Sequence, residues 1–156
     1  MLRVKKEETA LFVWYIVIIA LSLSSNNVGL YDRCSILQRL SYPLFHQNVF
    51  HALVNIYVMH QCYRIMPTLK GILIFYAFAI SYPFLSATPI IGMSGMVYAY
   101  MGYIAPYVKN KVKYNVTIIA YISFGLFIPC MAIGVHIYCY VIGLLWSYLN
   151  APLCKD

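Results

Sequence analysis

Carboxylates are scarce in this chain: Glu7, Glu8, Asp32 and the final Asp156 are all it has. None falls inside the long apolar stretches, so a Ser-His-Asp triad cannot be built within them. Charge of either sign is thin, at 10% of residues, against about 25% in a soluble globular domain. The five cysteines are odd in number and scattered, without metal-type pairs. That pattern specifies neither a disulfide framework nor a zinc site. Cys34 and Cys130 would face the same side, but nothing dictates a bridge between them. Internal repeats and low-complexity segments are absent too.

What the chain has instead is hydrophobic length, 63% of it apolar. Four runs carry no charge: Thr9–Tyr31, Leu40–Tyr63, Gly71–Val108 and Tyr114–Cys154. A membrane span takes roughly 17–25 residues, so the first two runs hold one helix each and the last two hold a pair each. Breaks are expected at Ser86-Ala87-Thr88-Pro89-Ile90-Ile91-Gly92 and at Pro129-Cys130-Met131-Ala132-Ile133-Gly134, since proline and glycine punctuate helices. The expected fold is an all-α membrane protein, a six-transmembrane-helix bundle forming one domain over residues 1–156. Its spans fall at about 10–26, 45–64, 71–86, 93–108, 115–130 and 135–150, from the span length above.

With the N-terminus inside, Arg3, Lys5, Lys6, Arg64, Lys70, Lys109, Lys111, Lys113 and Lys155 lie on the cytoplasmic side, and Arg33 and Arg39 outside. Nine against two obeys the positive-inside rule. The expected location is thus an integral, multi-pass one in a lipid bilayer, with both termini cytoplasmic. The net charge of +7 follows from that topology and requires no nucleic-acid partner. Residues 1–25 also fit a signal peptide, although Glu7 and Glu8 sit in its basic region and its removal would leave five spans.

The costly polar groups gather in Phe45-His46-Gln47-Asn48-Val49-Phe50-His51-Ala52-Leu53-Val54-Asn55. Asn48, His51 and Asn55 share one face of a helix, and such groups in a span face a bundle interior or a watery cavity. Hydrogen-bond glue between helices is the plainer account of any one of them. Ser94 opens the fourth span and His136 the sixth, at the depth of His51 and Asn55. Small residues would let these spans approach closely: Gly95, Ala99 and Gly102 on one, Cys139, Gly143 and Ser147 on the other. Serine needs a base within reach; His136 can take that part as one half of a Ser-His dyad. Tyr98, one turn after Ser94, can stack on the imidazole. His51, Asn55 and the Ser94 amide can serve an oxyanion, and Gly92 and Gly95 leave room beside the serine.

His46-x4-His51-x3-Asn55, then Gly92-x-Ser94-Gly95 with Tyr98 and Met101-Gly102-Tyr103, then His136-x6-Gly143, resembles the rhomboid family of intramembrane serine proteases. The resemblance covers about residues 10–150 and is to its compact, prokaryotic-type members, which sit in the bacterial inner membrane. It implies a serine endopeptidase that cleaves transmembrane segments of other membrane proteins. Ser94 would be the nucleophile, His136 the base, Tyr98 the stacking partner, and His51 and Asn55 the oxyanion hole. His46 matches a nearby structural position. No cofactor or metal is implied. The chain departs from the family's Ala-His-x-x-Gly pattern at Val135 and Cys139, which stand in the places of the alanine and the glycine. It also has Arg64 where an acid is common and a short first loop, about Asn27–Leu44, without a Trp-Arg pair. Two other readings stand beside this one. A non-proteolytic binding module could share the fold, and a haem or metal protein could use His46, His51, His60 and His136 as ligands. A small permease would want ionisable carriers that the spans lack.

Overall fold

A computed structural model describes residues 2–24, 28–85, 88–127 and 131–150, with side chains of the first helix described from residue 7 onward. Among these residues the regular structure is helical: α1 (Leu2–Ser22), α2 (Ile36–Ser41), α3 (Val49–Ile65), α4 (Leu69–Ile80), α5 (Ser94–Ile104), α6 (Lys111–Phe124) and α7 (Ile133–Leu149). Short 3-10 turns follow α2, α5 and α6, and one isolated antiparallel bridge joins Leu30 to Ile90. The starts of three helices are written in short polar side chains. Asn48 accepts from the His51 amide, Thr68 from Gly71 and Asn110 from Lys113, each satisfying a donor the helix leaves unpaired.

The expected six membrane spans are corrected by the helix lengths. Crossing a bilayer takes about 20 apolar residues, whereas α3 and α7 have 17, α6 has 14, α4 has 12 and α5 has 11. The 21-residue α1 starts through Arg3, Lys5, Lys6, Glu7 and Glu8. No helix among the described residues is long and apolar enough to cross a membrane. The transmembrane bundle and the multi-pass location with cytoplasmic termini therefore do not stand; an all-helical bundle does. The reason is physical. A run without charge is not a run of helix: residues 81–85 and 88–93, between α4 and α5, and residues 131–132, before α7, are not helical. Ser86 and Ala87 of the first expected break, and Pro129 and Cys130 of the second, lie outside the described residues.

Helix α5 is the centre of the bundle, with nine of its 11 residues buried. Helices α3, α4 and α7 pack around it, and α1 packs on α3. Phe75 of α4 lies against Tyr100 and Tyr103 of α5, with ring centroids 4.6 and 5.5 Å apart. Tyr42 donates from its hydroxyl to the Ala79 carbonyl at 2.8 Å, tying the turn before α3 to the end of α4. Helix α6 is held loosely and buries only Ile118. Large apolar side chains are exposed on α1 (Phe12, Ile16), α6 (Val116, Ile119) and α7 (Leu145, Leu149).

The two small-residue rows meet. A methyl group built on Gly143 would stand 2.0 Å from the Ala99 carbonyl oxygen, and one on Gly102 would stand 2.1 Å from that of Tyr140. The α5 and α7 backbones are therefore in contact, and any side chain at either glycine would push them apart. Cys139 and Ser147 are buried in the same seam.

Candidate active site

The site is assembled where α5 and α7 begin. Gly92 precedes α5 with φ +119°, a conformation that favours glycine. A β-carbon there would also come within 3.0 Å of the His51 ring. Its amide donates to the Tyr42 carbonyl at 3.1 Å. The next amide, of Met93, donates to Nε2 of His46 at 3.3 Å. His46 is fully buried, and because its Nε2 accepts, its proton sits on Nδ1. These two bonds fix the turn that delivers Ser94 as the first residue of α5.

His136 lies in the first turn of α7, and its Nε2 stands 2.9 Å from Ser94 Oγ. Its ring is stacked on Tyr98, with centroids 4.3 Å apart and planes 22° from parallel. With Nε2 facing the hydroxyl as acceptor, the Nδ1–H carries the proton, and Nδ1 has no partner among the described residues. A carboxylate would normally orient such an imidazole; here the tyrosine face and the tight α5–α7 seam do so. Burial pushes the His136 pKa down to about 4, with His51 adding to the shift. Burial acts on His51 in the same direction. Near neutral pH both rings are uncharged, and His136 is in the form that can accept a proton.

Asn55 of α3 is buried, and its Nδ2 has no hydrogen-bond partner among the described residues. The His51 ring, one turn earlier, meets that of His46 edge-on with centroids 5.2 Å apart. Ser94, Tyr98, His136, His51 and Asn55 all line one cavity of about 530 Å³. The rest of its wall is mostly apolar, including Val54, Val97, Met101 and Phe124, while Met131 and Ala132 border it from the segment before α7. Such a pocket, apolar with a few convergent polar groups, is the usual form of a small-molecule or peptide site.

The sequence placed Ser94, His136, Tyr98, His51, Asn55, Gly92, Gly95 and His46 together, and the structure brings them together. Gly95 sits in the α5–α7 seam against Val135 and Cys139. Asn48 does not join them: its side chain is spent capping α3. His60 lies against Phe12 and Tyr15 of α1, so the four histidines do not converge on one centre. No cluster of three or more metal-ligating side chains occurs among the described residues. Tyr42 and the Leu30–Ile90 bridge, which anchor the turn before Ser94, escaped sequence reasoning because they act through backbone groups in loops. The chain matches no family model and no curated protein.

Proposed function

We propose that the protein is a serine endopeptidase in which Ser94 is the nucleophile and His136 the general base, with transmembrane segments of other proteins as its substrate class. The observation that carries the reading is the 2.9 Å contact of Ser94 Oγ with His136 Nε2, at a helix start that opens on the Asn55-lined cavity. The motif order that resembles the rhomboid family supports it, and so does the apolar wall of the cavity, which suits an apolar peptide. In the reaction Nε2 takes the hydroxyl proton as Oγ attacks the scissile carbonyl carbon. The oxygen of the tetrahedral intermediate becomes an anion within reach of donors from Asn55 Nδ2, the His51 ring and the Ser94 amide. That amide also lies at the positive end of the α5 dipole. Collapse of the intermediate breaks the C–N bond, and the imidazolium returns the proton to the leaving amine. A water then repeats the sequence on the acyl-enzyme and frees Ser94. Asn55 and the amide act most strongly on the transition state, because charge develops there.

The test is cleavage of a generic transmembrane substrate by the purified protein. Cleavage is expected from the wild type and none from Ser94→Ala. Equal cleavage by both would overturn the assignment.

A further inference from the structure

One polar group in the cavity has no part in this chemistry. Gln61 is half-buried on α3 and lines the Ser94 cavity. It also lines a second cavity of about 440 Å³, which continues between α3, α5 and α6 as far as Asn110 and Lys113. Val58, Met101 and Tyr121 border both spaces with it, so Gln61 stands at the neck where the two adjoin. Its side-chain amide has no hydrogen-bond partner among the described residues, unlike the α3 cap Asn48.

Six residues of helix separate Gln61 from Asn55, about 9 Å of rise. Helical side chains lean towards the N-terminus, so the amide reaches back from that level towards the oxyanion donors. A side chain descending from a carbonyl held at Ser94 would meet it after roughly the length of a tyrosine or glutamine, given that rise and lean. The amide offers both a donor and an acceptor and no charge. Its apolar neighbours would leave an ionised tip desolvated, whereas a phenol or amide tip would be satisfied.

We propose that Gln61 is a specificity-determining residue, selecting on the acyl side of the scissile bond a side chain with a neutral hydrogen-bonding tip over an apolar one of the same shape. This rests on the serine-peptidase reading above. A neutral hydrogen bond in such a place is worth about 3–10-fold in discrimination. The probes are the p-nitrophenyl esters of N-acetyltyrosine and N-acetylphenylalanine, which differ by one hydroxyl. The wild type should show kcat/KM about 3–10-fold higher for the tyrosine ester, by that hydrogen bond, and Gln61→Met should bring the ratio close to one. A wild-type ratio at or below one overturns the proposal, as does a ratio that Gln61→Met leaves unchanged. If the methionine variant does not fold, Gln61→Asn makes the same comparison, because it withdraws the amide by one methylene and should lower the ratio. Failure of the peptidase reading looks different: neither ester is turned over, Ser94 is not labelled by a fluorophosphonate, and both proposals fall together.

Discussion

At Asn55 a buried amide nitrogen has no partner among the described residues, a state that costs stability until something binds there. An oxyanion is that something in the proposed reaction. Removing one such donor costs on the order of 100–1000-fold in turnover in other serine enzymes. Asn55→Ala should cost less, because His51 and the Ser94 amide share the charge, and it should lower kcat more than it raises KM. Steady-state kinetics on a small ester decide this; an unchanged kcat with a large rise in KM contradicts it. The pH profile belongs at the same scale. As the proposed base, His136 would work only when neutral, and its pKa is pushed down to about 4. Activity should therefore hold as pH falls from 7 to 5 and drop only as pH nears 4, far below the fall expected of an ordinary histidine. The same shift has a stability consequence. Between about 4 and 6.5 the unfolded chain binds a proton that the native state does not, so this group's contribution is full above the ordinary histidine pKa and is lost as pH falls through that window. Thermal unfolding across that range checks the sign.

Two features set the geometry, the α5–α7 seam and the start of α3, and each can be broken by one change. Gly143→Ala places a methyl group 2.0 Å from the Ala99 carbonyl, where only backbone movement can relieve it. Overpacking of this kind costs about 1–3 kcal/mol, and because α7 carries His136, labelling of Ser94 should slow along with the loss in melting temperature. Asn48→Ala removes the α3 cap at a cost of about 1 kcal/mol; the change should show in Tm and leave the Ser94–His136 pair in place. These elements also show what could be read in advance. The small-residue rows, the serine between glycines and the histidine at the α7 start were legible because close helix packing and the proposed chemistry ask for those residue types at those spacings. Asn48 was misplaced because one polar residue at a helix start serves a cap or a cavity equally well from periodicity alone. The turn before Ser94 was not legible: His46 accepts a backbone amide, and neither Tyr42 nor Leu30 announces its backbone pairing by type.

Over the whole molecule, hydrophobic composition and helix length part company. Uncharged stretches of 38 and 41 residues each resolve into helices and loops, and no described helix is long and apolar enough to cross a membrane. The bundle instead gathers its polar groups at the starts of α3, α5 and α7 and exposes apolar side chains on its outer helices. At its centre that architecture sets Ser94 Oγ 2.9 Å from His136 Nε2, the contact on which the proposed activity rests. The most direct measurement is labelling of the purified protein with a fluorophosphonate, with the adduct located by mass spectrometry. The wild type should carry one adduct, on Ser94; Ser94→Ala should carry none, and His136→Ala should carry none while it still unfolds cooperatively. An adduct elsewhere, or equal labelling of Ser94 in folded His136→Ala, would contradict the dyad.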